Sequence, residues 1–226
     1  SYFTDKYGIS RTCQVVLSTG DNPSSLVGMG ATSPGTIVIS LGTSDTFFAA
    51  MEKAVTDPQR FGHVFGNPAG GFMSLICFRN GSLAREALRD SLGLDWAAFD
   101  REGLAKTPPG NDGKVMLPFY GPEITPRRDF EAPVRNFPES DPAEVQVRAL
   151  LEGQFLNMRL HSQWIGEKAG LIRLTGGASQ NNGIAQLVAD IFQAPVERFA
   201  IANGAGLGAA LRAAHACGHS LPGLQE

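Results

Sequence analysis

The sequence predicts an α/β domain. Short β-branched apolar runs that stop at glycine predict strands, and apolar residues at three- and four-residue steps predict helices. The last third of the chain alternates strand, glycine pair and helix, the pattern of a sheet flanked by helices.

Residues 13–19 (CQVVLST) form a β-branched apolar run closing at Gly20 and predict a buried strand. Residues 22–31 predict a helix, with Pro23 suited to its first helical position. Residues 35–41 and 45–51 predict two strands joined as a hairpin through Gly42, Thr43 and Ser44. Residues 82–92 and 96–105 carry helical spacing, and the Pro108 to Gly113 cluster predicts a loop. A short strand is expected over 115–120, then a proline-rich irregular stretch to Pro138. The clearest helix starts with Asp141 as N-cap, Pro142 at the first helical position and Glu144 at the third. Val147, Leu151, Phe155, Met158, Ser162 and Ile165 continue its apolar face, and Gly170 should end it. A strand over 171–175, a helix over 182–192, a strand over 196–201 and a helix over 204–217 complete the series.

Composition excludes several classes of function. A net charge of −3 with scattered Lys and Arg lacks the basic stripe of a nucleic-acid binder. No apolar run approaches the roughly 18 to 20 residues that span a bilayer, so no membrane partner is expected. Ser1 to Lys6 lack the basic-then-apolar order of a signal peptide. Cys13, Cys77 and Cys217 are an odd, sparse set, expected to be reduced, mostly buried and consistent with a cytoplasmic setting. His215 and His219 stand four apart, a spacing that zinc sites use; without a third ligand, a helix-terminus role is expected and no metal site is predicted.

Four places could carry chemistry. Asp21 opens a helix after a predicted strand; it is either an N-cap, with Asn22 a competing cap, or a general base at a cleft mouth. Gly42, Thr43 and Ser44 are either a plain turn or a phosphate-binding tip, where glycine admits backbone amides and two hydroxyls donate. Gly176, Gly177, Ala178 and Ser179 lie between strand and helix, where small residues let a flat ligand or a phosphate approach. Gly204, Gly206 and Ala209 match a dinucleotide fingerprint, yet that fingerprint needs a following strand before its acidic residue, and the sequence runs only to Glu226, so this reading is weak. Glycines there more plainly thin a helix for close packing beside a ligand or strand.

The order of these features resembles the carboxy-terminal domain of the FGGY carbohydrate kinases, members of the actin-like ATPase superfamily. Gly20-Asp21-Asn22 corresponds to the family's catalytic aspartate segment and Ser40 to Ser44 to its second phosphate hairpin. Asn80-Gly81-Ser82, Glu123 to Pro126 and Glu152-Gly153 match further landmarks, and Gly176 to Ser179, Ala189 to Phe192 and Pro195-Val196 match the adenosine segment. Many bacterial members have glycines in place of Ser18 and Thr19 and an arginine in place of Ile124.

The resemblance implies an actin-like (ribonuclease H-like) α/β domain with a mixed sheet flanked by helices, over 13–226. Residues 1–12 would then connect to an amino-terminal kinase domain. That partner domain would carry the family's first phosphate loop, Asp-x-Gly-Thr, which does not occur in this sequence. The implied reaction is phosphoryl transfer from ATP, with Mg2+, to a primary hydroxyl of a ketopentose, D-xylulose. Asp21 would be the base and, with Asn22, would touch the sugar. Gly42, Thr43 and Ser44 would hold phosphates. Gly176, Gly177, Ala178 and Asn181 would border the adenosine, and Asn203 with Gly204 would close its far side. The alternatives are a non-catalytic nucleotide-binding module, or a kinase of the same family for another sugar or polyol.

Overall fold

In a computed structural model, which describes residues 1–129, 132–199 and 203–219, one central sheet is built around apolar inner strands buried on both faces. Its strands are β1 (Thr36–Leu41), β2 (Asp45–Met51), β3 (His63–Gly66) and β4 (Phe72–Phe78), joined later by β9 (Leu171–Gly176) and β10 (Val196–Arg198). The six-stranded order is β10-β9-β1-β2-β4-β3; β10, β9 and β1 run parallel, and the rest pair antiparallel. Between β4 and β9 lie the two-residue strands β5 (Met116–Leu117), β6 (Glu123–Ile124), β7 (Arg127–Arg128) and β8 (Val134–Arg135), paired as β5–β8 and β6–β7.

Alternation along the strands sorts side chains onto two faces. Ile37, Ile39, Leu41, Phe47, Ala49, Ile76 and Phe78 point to one side. There they meet α3 (Ser82–Ser91), α4 (Trp96–Ala105), α5 (Ala143–Ser162) and α6 (Asn182–Phe192). Val38, Phe48, Met73 and Leu75 point the other way, against Leu26 and Met29 at α2 (Asp21–Gly28). Helix α7 (Gly204–Ala216) packs on α2 through glycine: a Cβ on Gly208 would lie 1.7 Å from the Ser24 carbonyl oxygen. The partner of these thinning glycines is therefore a helix. A short helix α1 (Tyr2–Tyr7) precedes them all and buries nothing.

Three expectations are corrected. Residues 13–20 are extended but pair with no strand among the described residues, and Val15 and Leu17 are 98% and 88% exposed. β-Branched composition is only a local preference; without a neighbouring edge to form a ladder, no strand results. Cys13 and Cys217 are exposed and Cys77 half-buried, so the cysteines are free but not mostly buried. Asp141 does not cap α5, whose N-cap is Pro142; its carboxylate instead takes a 2.7 Å ion pair from Lys114.

Smaller differences concern element ends. Helix α5 stops at Ser162 and passes into one tight turn, Gln163–Ile165, which Gly166 closes in the left-handed conformation before Gly170 is reached. The strand expected over 115–120 shrinks to Met116–Leu117. The end of the strand expected over 196–201 lies outside the described residues.

Candidate functional site

The site forms where the parallel strands β1 and β9 end side by side, the sheet position at which α/β folds place ligands. Register sets Leu41 opposite both Asp45 and Gly176, so the hairpin tip and the glycine pair leave the sheet together. Gly176 needs to be glycine twice over: its φ is +92°, and a Cβ would fall 2.1 Å from the Leu41 carbonyl oxygen.

The hairpin tip is held from behind. The Ser82 amide donates to the Gly42 carbonyl at 2.9 Å, and a Cβ on Gly81 would lie 2.8 Å from the Thr43 carbonyl oxygen. Asp45, fully enclosed, receives both Arg85 amino groups at 2.9 and 3.0 Å. Burial pushes the Asp45 carboxyl up, while the Arg85 charge and the Gly42 amide oppose that rise. Gln154 accepts from Arg85 at 3.0 Å and donates to the Asn80 and Gly81 carbonyls at 2.7 and 3.0 Å. Glu123, also buried, accepts from the Arg79 and Asn80 amides at 2.7 and 3.0 Å. The Asn80, Gly81 and Glu123 landmarks thus build the shelf under the hairpin and touch no cavity at the strand ends.

Two cavities open at these ends and share Gly177 and Gln180. One, of about 590 Å³, is lined by Gly42, Thr43, Gly177, Ala178 and Asn181, with an apolar wall of Leu41, Trp96, Phe99 and Ile184. Asn181 caps α6 through its side-chain oxygen, which accepts from the Gly183 and Ile184 amides at 2.7 and 3.2 Å. Its Nδ2 is buried with no hydrogen-bond partner, a donor left over for whatever enters. The other cavity, of about 550 Å³, holds Asn22, Gly176, Asn203 and Gly204, with hydroxyls from Ser40, Thr46 and Thr175. Asn203 caps α7 by accepting from the Gly206 amide at 2.8 Å.

Asp21 lies beside this second cavity, next to Asn22, at the exposed start of α2. Gly20 is the N-cap, so neither Asp21 nor Asn22 fills that role. The Asp21 carboxylate accepts from the Asn22 amide and side chain, at 2.8 and 3.2 Å. Its charge reaches Cys77 on β4, whose thiol is pushed up first by burial and then by Asp21. Ser44 is exposed and lines neither cavity. Asn203 and Gly204 border the cavity beside Asp21 and not the one that holds Ala178 and Asn181. Trp96, Phe99 and Asp100 are additions that the sequence reading missed; helical spacing placed α4 but gave no sign of which face it would turn to a cavity.

Strand ends, hairpin and two adjacent cavities together give an α/β domain with glycine-lined backbone at the mouth of its candidate site. The chain belongs to the FGGY family of carbohydrate kinases, whose C-terminal domain model matches residues 37–217. Among curated relatives, a xylulose kinase of Mus musculus is 42% identical over 226 residues, covering 95% of this chain and 40% of that protein. Xylulose kinase 2 of Arabidopsis thaliana is 37% identical over 235 residues, again with 95% of this chain and 41% of the relative. The chain thus spans about two fifths of the length of the relatives it matches. Among solved structures, a xylulose kinase from Bifidobacterium adolescentis superposes with a TM-score of 0.80 at 29% identity, over 89% of this chain and 40% of that one. A ligand-bound xylulose kinase from Lactobacillus acidophilus gives 0.89 at 21% identity, over 100% and 47%, and bears on the fold alone. The fold is that of the actin-like ATPases, in the form of one domain of a two-domain kinase.

Proposed function

We propose that this chain is the nucleotide-binding and catalytic-base part of an enzyme that phosphorylates a ketopentose, D-xylulose, from ATP. The observation that carries the reading is that two neighbouring cavities at the strand ends are lined by the same two residues, Gly177 and Gln180. One offers small residues, an apolar wall and the spare Asn181 donor, as a nucleoside requires. Its neighbour sets the hydroxyls of Ser40, Thr46 and Thr175 and the Asn22 amide among apolar Met29, Phe48 and Phe199, and Asn22 adjoins Asp21, as a sugar with its hydroxyls requires.

In this reading adenosine lies against Gly177, Ala178 and Asn181. The phosphates extend toward the Gly42 amide region and the hydroxyls of Thr43 and Ser44. Asn203 and Gly204 close the second cavity, where Asn22 helps to seat the sugar. Asp21 accepts the hydroxyl proton as the oxygen attacks the terminal phosphorus. A carboxylate is basic enough, because a loose phosphoryl-transfer transition state releases that proton late. Mg2+, when bound, neutralises charge on the phosphates, through oxygen ligands drawn largely from phosphate and water.

Asp21→Asn in the full-length enzyme tests the proposal. The amide keeps the size of the carboxylate but takes up no proton. Turnover at saturating sugar should fall by about 10² to 10⁴ with unchanged thermal unfolding. Near wild-type turnover would remove Asp21 from the mechanism.

A further inference from the structure

The apolar wall of the Ala178 cavity comes largely from α4, and that helix also carries a charge into it. Trp96, Phe99 and Asp100 fall on one face at steps of three and four, and all three line the cavity. Phe99 is buried and meets Trp96 edge-on, with centroids 5.5 Å apart. The Arg89 guanidinium sits over the Trp96 ring at 4.4 Å and fixes the indole, which remains 43% exposed at the rim. Opposite, Asn181 presents its buried, unpartnered Nδ2. Asp100 and Asn181 are close enough to feel each other without forming a hydrogen bond. Burial pushes the Asp100 carboxyl up, and the Asn181 amide pulls it back.

The cavity therefore offers a flat apolar wall, one donor and, beside it, one acceptor. Adenine carries the complementary pair along one edge, a ring-nitrogen acceptor at N7 next to the N6 amino donor; guanine carries two acceptors there, N7 and O6. We propose that Asp100 is a base-selecting residue, accepting from the amino group of adenine while Asn181 donates to the adjacent ring nitrogen. A guanine in the same pose would set its O6 against the carboxylate and leave a charge unpaired, so the pair selects by repulsion as well as attraction. The inference deepens the nucleotide reading and rests on it.

The test is calorimetric titration of the chain with ADP and with GDP, alongside Trp96 emission. Wild type should prefer ADP, with quenching of Trp96. In Asp100→Asn the ADP-over-GDP ratio should fall on the order of tenfold, the scale of one well-placed base contact, because the amide can donate to O6. Asp100→Ala, which removes the repulsion without adding a donor, should lower the ratio less and guards against a folding artefact in the first variant. Unchanged ratios in both variants, with ADP still quenching Trp96, would overturn the role of Asp100 alone. A wild-type chain that binds ADP with no Trp96 quenching would overturn the α4 wall as the base site, and with it the role of Asp100. Failure of the wild-type chain to bind ADP at all would overturn the nucleotide reading together with it.

Discussion

His161 stands near the end of α5, with its Nδ1 3.1 Å from the Gln59 side-chain oxygen and its ring edge-on to Phe61. Burial lowers its pKa from the ordinary 6.5; the charges of Asp57 and Glu123 favour the proton, Arg128 opposes it, and burial prevails. The sign of the consequence follows from linkage. The unfolded chain takes up this proton first as pH falls below about 6.5, so acid favours unfolding there. Stability from His161 is complete above that value and declines through the window beneath it. His161→Gln keeps a polar group near Gln59 but does not titrate. Its melting temperature should fall less than that of wild type between neutral pH and pH about 5.5. Parallel melting curves for the two proteins across that range would exclude His161 as the cause. Asp45 works differently, since its partner Arg85 is enclosed with it and a buried pair is costly to break from either side.

At the scale of elements, the contact between α2 and α7 links Asp21 to the second cavity. Asp21 begins α2, Asn203 caps α7, and the two helices approach through Gly28, Gly204 and Gly208. Gly208→Ala would put a methyl 1.7 Å from the Ser24 carbonyl oxygen, which backbone displacement alone can relieve. The expected cost is about 1 to 3 kcal/mol of stability, as for an overpacked core, read from denaturant unfolding. Gly204→Ala is the control, because its Cβ would meet side chains alone, Met29 at 3.4 Å and Ser25 at 3.8 Å. It should stay within about 1 kcal/mol of wild type, since alanine also restores helix propensity. Equal losses in the two variants would mean that close approach is not what Gly208 provides.

The same scale shows what the sequence made legible. Helices over 96–105 and 182–192 stand where the sequence predicted them, and the hairpin around Gly42 formed where glycine and β-branched residues placed it. Strand β4 gave no such sign: Phe72, Met73, Leu75, Ile76 and Phe78 are apolar without alternation, and the run becomes a strand by pairing with β2 and β3. Residues 13–19 are the reverse case, with strong strand composition and no ladder to join. Site residues on loops were visible because glycine and hydroxyl residues there have few structural alternatives. Trp96 and Asp100 were hidden because a helix face shows its destination only after packing.

For the whole molecule, the chain should fold alone yet show no sugar-dependent turnover. Folding is expected because both sheet faces are already covered, by α3 to α6 on one side and α2 on the other. Inactivity is expected because the catalytic wall is one-sided. Thr43 and Ser44 stand exposed at the hairpin tip, and Asp21 is exposed at the start of α2. Phosphoryl transfer depends on positioning and on charge stabilisation in a site closed to water, and each of these needs a second wall. Val15 and Leu17, apolar and almost wholly exposed just before Asp21, are placed to be covered by that wall. The relatives are more than twice as long as this chain, which leaves ample sequence to supply it. The measurement is a coupled assay of ADP release with D-xylulose, on the chain alone and then with an amino-terminal half added. Turnover that depends on sugar and appears only in the mixture is the expected result. Such turnover by the chain alone would show that the walls seen here already suffice for catalysis.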